Sequence, residues 1–331
     1  MTLYISHNSA LQLLISQGTP QRRVLCSGIS APLKPTRAQP RPGMVPNWSG
    51  LKEWGMPDGV LTNRLHINVA DAESRVRAKG IVCHVWPAPE CGSYLKVDDV
   101  YCVQTPEACF AQLAADLELP QLVELAMMLC GTFAPAPEGL ATRYNLEPLT
   151  TPKKLAAYVG RLKGRRGLDK ARIAAKLAAA GAGSPMEAKI AAAISLSTRQ
   201  GGYGMPALLN HELKLTDAAR GLGFSETRRP DFYWPRYSVS LDYDSSEYHD
   251  ERQRAEADER RRNELAALGI IGIVARSPHV SSLANFEALM RQVFAAMGRK
   301  GESRTANLDE KRARMYALLF GRDSWNPMDV R

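Results

Sequence analysis

Long apolar runs are missing from this chain of 331 residues, since no stretch of about 18 consecutive apolar residues occurs. This absence argues against a transmembrane helix. Residues 1–7 lack the basic start and the apolar stretch of a signal peptide, so we expect a cytoplasmic protein. Hydrophobic residues make up 45% of the chain, which is enough for a sizeable core and excludes a chain that is disordered throughout.

Metal-binding cysteine motifs are also missing. The six cysteines form no C-x-x-C pair, and no two histidines have the spacing of zinc ligands. Cys83, His84 and Cys91 lie close together in sequence and could be read as a metal cluster. We interpret the cysteines instead as buried thiols in a reducing compartment.

Acidic residues are scarce in one segment of the chain. The net charge is +9, but residues 1–150 carry 12 basic and 13 acidic groups, and residues 184–331 carry 22 and 20. Residues 151–183 carry nine basic groups and one acidic group. This segment predicts a polyanion partner, most simply DNA, although a solvated helix face is the alternative. The candidate DNA contacts in it are Lys153, Lys154, Arg161, Lys163, Arg165, Arg166 and Lys170.

The hydrophobic pattern predicts an α/β protein in four regions. Residues 1–60 hold a short helix and a Pro/Arg-rich segment, 61–150 a smaller α/β domain, 151–183 a basic helical connector, and 184–331 a C-terminal α/β domain. The predicted strands are Leu65 to Val69, Ile81 to Trp86, Tyr94 to Val97, Val100 to Val103, Phe232 to Trp234, Val239 to Tyr243 and Ile270 to Val274. Helices are predicted from Asn8, Asp71, Pro106, Gln121, Pro152, Leu168, Glu187, Glu251, Leu283 and Leu308.

Two acidic residues flank a predicted hairpin in the C-terminal domain. If Arg236 and Tyr237 form its two-residue tip, Asp231 and Asp242 lie directly opposite each other. Opposed side chains have Cβ atoms about 4.5–5.5 Å apart, and like charges repel there. Such a pair either raises the pKa of one carboxyl or binds a cation, and carboxylate oxygens suit Mg²⁺ or Mn²⁺.

Around this hairpin the sequence resembles a known family. The residues of the match are Arg229-Pro230-Asp231, Trp234-Pro235, Leu241-Asp242-Tyr243-Asp244, Tyr248-His249, Asp258, Arg261-Arg262-Asn263, Leu265 and Gly269. They are similar to the PD-(D/E)xK restriction-endonuclease-like domain, in the branch of the very-short-patch mismatch repair endonuclease. The match covers roughly residues 184–278, and it implies a small mixed sheet flanked by helices.

The resemblance implies a metal site made of Asp231, Asp242 and Glu187, with Asp244 and His249 as further catalytic residues and Arg261 near the phosphate. The family's usual Glu is Asp242 here, and its usual Lys is Asp244, which weakens the expectation of activity. Plain alternatives exist for each residue. Glu187 completes a capping box with Ser184, Asp244 anchors a turn, His249 is an ordinary loop histidine, and Arg261 lies on a solvated helix face.

The middle of the chain, residues 61–131, resembles more weakly the α/β part of abortive-infection type IV antitoxin-like regulators. The segments that carry this match are Leu65 to Val69, Ile81 to Trp86, Asp98 to Val103 and Thr105-Pro106-Glu107. Three hypotheses follow. The first is a Mg²⁺-dependent (or Mn²⁺-dependent) DNA endonuclease or nickase, and the alternative is a DNA-binding regulator with an inactive nuclease-like domain. The third is a protein–protein module whose acidic cluster caps a partner. DNA is the expected partner, and a homodimer or a toxin-like partner protein stays open.

Overall fold

The computed structural model describes nine stretches of the chain, but not the side chains of residues 251–258 and 306 within them. These stretches are residues 3–18, 64–87, 92–97, 101–136, 141–215, 225–244, 251–299, 306–322 and 324–328. They form an α/β fold, as the sequence predicts. The chain divides into two compact units, residues 1–180 with 325–331, and residues 181–324. No helix among the described residues is both long and apolar enough to cross a membrane.

Unit 1 is built on a five-stranded mixed sheet of order β3-β2-β1-β5-β4. Its strands are β1 (Leu3–Ile5), β2 (Leu65–Val69), β3 (Ile81–Val85), β4 (Tyr94–Lys96) and β5 (Tyr101–Gln104). Its helices are α1 (His7–Ser16), α2 (Pro106–Leu113), α3 (Leu119–Leu129), α4 (Pro152–Arg161) and α5 (Leu168–Leu177). Strand β1 pairs parallel with β5 and antiparallel with β2, and β2 pairs parallel with β3. The N-terminal residues therefore supply the central strand of this sheet, although the sequence analysis places them in a separate region.

One predicted helix in unit 1 is wrong. Residues 71–79 form turns and bends rather than a helix. Asp71 explains this, because its carboxylate accepts hydrogen bonds from the backbone N–H and the hydroxyl of Ser74, at 2.8 and 2.7 Å. Such local bonds compete with helix formation. The segment also buries no continuous face, so packing does not favour a helix there either.

The basic segment forms helices α4 and α5. In α4, Thr151 accepts a hydrogen bond from the backbone N–H of Lys154, and Pro152 occupies the first turn, as expected of a helix start. Leu155, Tyr158 and Val159 are buried, and α4 packs against α2 and α5. The two helices are thus an integral part of unit 1, with one apolar face inside and the basic side chains on the other.

Unit 2 contains a four-stranded mixed sheet of order β11-β10-β9-β6 and a two-stranded ribbon of β7 and β8. Its strands are β6 (Leu208–Leu209), β7 (Leu213–Lys214), β8 (Thr227–Arg228), β9 (Phe232–Trp234), β10 (Val239–Asp244) and β11 (Ile271–Arg276). Its helices are α6 (Pro185–Ser195), α7 (Glu251–Ala267), the single turn α8 (Ser277–Val280), α9 (Leu283–Ala296) and α10 (Ala306–Phe320). Helix α7 connects the parallel strands β10 and β11, and α7 and α9 pack on the sheet.

The register of the β9–β10 hairpin is the predicted one. Trp234 pairs with Val239, and Phe232 pairs with Leu241, so Asp231 and Asp242 face each other in the same frame. The connection lies at residues 235–238, but its tip is not the assumed two-residue turn, because Pro235–Tyr237 forms a 3₁₀ turn and Ser238 adopts left-handed backbone angles. The longer connection leaves the register unchanged, since residues are added equally to both sides of the turn.

Candidate functional site

Three acidic side chains of unit 2 come from different elements of the fold. Glu187 lies in the first turn of α6, Asp231 immediately precedes β9, and Asp242 lies within β10. Glu187 and Asp242 are buried, and Asp231 is half-buried. Burying carboxylates is costly unless each is hydrogen-bonded or paired with a cation, so the partners of these three groups determine what the site can do.

Glu187 is fixed by the start of its helix. Ser184 caps α6 by accepting a hydrogen bond from the backbone N–H of Glu187 at 3.2 Å. The predicted capping box is incomplete, because the Glu187 carboxylate accepts from the backbone N–H of Gly183 rather than of Ser184. It also accepts from the side-chain amide of Asn210, and both bonds are 2.7 Å long. The cap therefore explains Ser184 but leaves the Glu187 carboxylate in the acidic cluster.

Each of the two opposed aspartates accepts a hydrogen bond from a backbone N–H on the other side of the hairpin. Asp242 accepts a hydrogen bond from the backbone N–H of Asp231 at 3.1 Å, through Oδ1. Asp231 accepts one from the backbone N–H of Tyr243 at 2.6 Å, through Oδ2. These reciprocal bonds orient both carboxyl groups at the start of β9. Neither bond can form if the hairpin slips by one residue, because the side chains would then change faces.

Asp231 has the most perturbed acidity of the cluster. Its pKa is raised to about 8, chiefly by burial and then by the negative charges of Glu187 and Asp242. The hydrogen bond from Tyr243 and the nearby Arg228 oppose this rise but do not offset it. A carboxyl group of this kind holds a proton at neutral pH unless a cation takes the proton's place.

Arg228, on β8, already neutralises one of the aspartates. Its guanidinium donates to Oδ2 of Asp242 at 2.6 Å, and the two side chains are 19% and 8% exposed. Sequence reasoning missed this residue because Arg228 and Arg229 are adjacent and nothing in the sequence tells them apart. The neighbouring Arg229 pairs instead with the exposed Glu212.

The carboxylates are spaced more widely than a compact metal site requires. Within the described part of the chain, one trio of His, Cys, Asp or Glu residues places a ligand atom of each within 4.8 Å of the others, and it consists of His7, His66 and His84. A cation at the acidic cluster would therefore contact two of its carboxylates directly, or would draw the third inward. Movement of Arg228 away from Asp242 would give it room.

Two further predicted site residues lie beside the cluster in sequence. Asp244 ends β10 opposite Arg276 of β11, and it shares a sheet face with Asp242 because it is two residues further along the strand. His249 lies outside the described residues, as do the turn that follows Asp244 and the side chain of Asp258. Arg261 is half-buried on α7, where its neighbour Arg260 pairs with Glu264 at 3.3 Å.

The predicted DNA contacts of unit 1 fall into two groups. Lys153, Lys154, Arg161, Lys163 and Arg166 have exposed side chains. Arg165 is used within the unit, since its guanidinium lies 4.3 Å from the ring centre of Trp86 and donates to the carbonyl of Pro87. Lys170 likewise donates to the carbonyl of Leu117 at 2.6 Å. The exposed group is the better candidate for contact with phosphates.

The aromatic residues near the hairpin serve mainly the fold. Trp234 is buried, and its indole N–H donates to the carbonyl of Met205 at 3.0 Å. Tyr233 lies beside the exposed His211, with nearly parallel rings 6.1 Å apart. Base stacking on Trp234 is therefore excluded in this conformation.

Sequence reasoning also missed Asn210, His7 and His66, and it considered His84 only together with Cys83 and Cys91. Asn210 adopts positive φ, and its side chain joins Glu187 to the carbonyl of Gly181. No local pattern indicates either feature, because the partners are brought together only by the fold. Comparisons of the chain with protein-family models, with curated proteins and with solved structures gave no significant match.

Proposed function

We propose that unit 2 is a metal-dependent nuclease domain that hydrolyses DNA phosphodiester bonds. The observation that carries this proposal is the pair of the half-buried Asp231 and the buried Asp242, whose carboxyl groups face each other across a hairpin. The raised pKa of Asp231 supports it, because a proton or a cation is needed to hold this pair together at neutral pH. The resemblance to the restriction-endonuclease-like domain rests on the same residues.

Each residue of the cluster has a definite part in this proposal. Asp231 and Asp242 would hold Mg²⁺ or Mn²⁺, and Glu187 would assist from the start of α6. The bound ion would supply an activated water and stabilise the charge that develops on the phosphate. The backbone N–H groups of Asp231 and Tyr243 keep the carboxylates oriented. Arg228, once released from Asp242, would be available to contact the scissile phosphate.

The basic face of unit 1 supports DNA as the substrate. Lys153 and Lys154 lie in the first turn of α4, where the helix dipole is positive and acidic residues are the favourable choice. No acidic residue occupies that turn. Two lysines there concentrate positive potential at a helix N-terminus, an arrangement that suits phosphate groups.

Nicking of supercoiled plasmid tests the nuclease function. We expect the wild-type chain to nick the plasmid with Mg²⁺ or Mn²⁺, and Asp231→Ala and Asp242→Ala to lose at least about 100-fold in rate because each removes a metal ligand. Asp309→Ala, at an exposed acid of the same unit, serves as the control and keeps the wild-type rate. Plasmid that stays intact with both metals, or equal nicking by Asp231→Ala, would overturn the proposal.

A second function is favoured by the ion pair of Arg228 with Asp242. This pair neutralises the aspartate without a metal, and Asp244 stands where the family has a lysine. A protein that binds DNA but does not cleave it would keep such a pair permanently. This alternative predicts DNA binding with no cleavage at any metal concentration.

The salt dependence of DNA binding tests the basic face under either function. We expect the triple variant Lys153→Gln, Lys163→Gln, Arg166→Gln to bind duplex DNA more weakly and to lower the slope of log affinity against log salt by about 3. The slope is measured by fluorescence anisotropy over a salt series. Lys311→Gln, an exposed lysine of unit 2, provides the control and should leave the slope unchanged. A triple variant with the wild-type slope would show that DNA does not lie on this face.

A further inference from the structure

Three histidines meet in unit 1, far from the acidic cluster in sequence. His7 is the first residue of α1 directly after β1, His66 lies on β2, and His84 lies on β3. The strands β3, β2 and β1 are neighbours in the sheet, so the three rings are brought to one place. One ligand atom of each lies within 4.8 Å of the other two. The rings are nearly parallel, with centres 4.3–5.1 Å apart.

The nitrogens of this cluster are partly committed to one another. Nδ1 of His66 lies 2.8 Å from Nε2 of His84, which means that one nitrogen donates and the other accepts. Nε2 of His7 lies 2.8 Å from the Asp116 carboxylate. A carboxylate that accepts from one ring nitrogen fixes the tautomer and leaves the lone pair of the other nitrogen for a ligand.

The other ring nitrogen of His7, Nδ1, is buried and has no hydrogen-bond partner among the described residues. A buried nitrogen without a partner costs free energy, so most such atoms are paired. Imidazole binds metals in its neutral form, through a nitrogen lone pair such as that of Nδ1.

The backbone of His7 adds an independent observation. Its φ is +53°, in the left-handed region that residues other than glycine rarely adopt. The surroundings fix this conformation, since the backbone N–H of His7 donates to the Gln104 side chain at 3.0 Å. Strained backbone of this kind concentrates at functional sites. Here the strain sets the position of one imidazole.

We propose that His7, His66 and His84 form a binding site for one transition-metal ion, with Zn²⁺ as the ion it fits best, and that Asp116 orients His7. Three neutral imidazoles are typical of zinc sites that keep a fourth, open position for water or a substrate. Nitrogen donors exclude Mg²⁺ as the preferred ion, because Mg²⁺ takes oxygen ligands. The site is therefore distinct in chemistry from the carboxylates of unit 2.

Metal binding requires the rings to rotate, because three nearly parallel imidazole planes do not direct their lone pairs at one tetrahedral ion. Two nitrogens bound at about 2.0–2.1 Å on a tetrahedral zinc ion are about 3.3 Å apart. Nδ1 of His66 and Nε2 of His84 are 2.8 Å apart, so they would separate by about half an ångström as the ion replaces their shared proton. His66 and His84 are only half-buried, which leaves the ion a route of entry.

Metal titration of the full chain without a histidine tag tests this site. We expect one Zn²⁺ per chain by calorimetry and by elemental analysis after dialysis, and a visible d–d absorption band when Co²⁺ is added instead. His66→Ala and His84→Ala should abolish both signals. Asp116→Asn keeps a hydrogen-bond acceptor but removes the charge, and it should weaken Zn²⁺ affinity by about 10–100-fold.

The variants distinguish lost binding from lost folding. His7→Asn removes the imidazole, yet asparagine tolerates positive φ, so this variant should keep the wild-type circular dichroism while it loses the metal. His211→Asn removes an exposed histidine of unit 2 and should bind one Zn²⁺ as the wild type does. The proposal is overturned if the wild-type chain binds no Zn²⁺, or if folded His7→Asn and His84→Ala still bind it. The trio would then be a packed imidazole cluster.

Discussion

Replacement of Asp231 by asparagine is expected to stabilise unit 2 at pH 8 and to leave its stability nearly unchanged at pH 4. The reason is that the folded chain raises the pKa of this carboxyl to about 8, chiefly by burial and then by the charges of Glu187 and Asp242. Its ordinary value in an unfolded chain is about 3.9. An asparagine has the shape of the aspartate, can accept from the Tyr243 N–H, and carries no charge to bury.

The direction of the effect follows from proton binding. Between about pH 4 and pH 8 the folded wild-type chain holds a proton on Asp231 that the unfolded chain has lost. The free energy of unfolding of the wild type therefore falls as the pH rises through this window, by at most about 1.4 kcal/mol per pH unit. The asparagine variant lacks this slope. The gain at pH 8 should amount to several kcal/mol, and it should disappear near pH 4.

Urea unfolding at pH 4, 6 and 8 measures this difference. Asp309→Asn, at an exposed acid in the same unit, provides the matched control, and its difference from the wild type should be small and flat above pH 5. Mg²⁺ or Mn²⁺ at pH 8 should stabilise the wild type and not Asp231→Asn, since the ion replaces the proton. Equal stabilities of wild type and Asp231→Asn at pH 8 would show that Asp231 is not in a cluster of uncompensated charge.

The hairpin shows what the sequence alone can predict. Phe232–Trp234 and Val239 to Tyr243 are apolar strands separated by a proline turn, so their pairing is local and their alternation permits one register. The opposition of Asp231 and Asp242 follows from that register. The details of the turn do not, because left-handed backbone is uncommon for residues other than glycine and nothing in the local sequence indicates it at Ser238.

The missed residues share a different property, which is that their partners are distant in sequence. His66 and His84 are 18 residues apart, and His7 and Asp116 are 109 apart. Only the order of strands in the sheet joins them, and Leu3–Ile5 is too short a strand to be recognised from its pattern. Arg228 illustrates the same limit, since it reaches Asp242 from a separate two-stranded ribbon.

Loss of the Arg228 side chain should strongly destabilise unit 2 in the absence of metal. The variant Arg228→Met leaves Asp242 buried without its counter-charge, and removal of one partner of a buried pair costs about 3–5 kcal/mol. Arg228 is itself 19% exposed, so we expect about 3 kcal/mol. Arg229→Met provides the matched control, because Arg229 is adjacent in sequence and pairs with the exposed Glu212. Its loss of stability should be much smaller.

The effect of Mn²⁺ on stability tests whether the ion pair of Arg228 and Asp242 can be replaced by a metal. If Asp242 is a metal ligand, Mn²⁺ should restore most of the stability that Arg228→Met loses, because the ion takes the place of the guanidinium. The same variant should bind Mn²⁺ more tightly than the wild type, in which the ion competes with Arg228 for Oδ2 of Asp242. Thermal unfolding with a Mn²⁺ series measures both effects. Arg228 is the permanent partner of Asp242 if Mn²⁺ shifts the unfolding midpoints of the wild type and Arg228→Met by the same amount, or if it shifts neither midpoint. This outcome would favour the alternative function, in which the chain binds DNA without cleaving it.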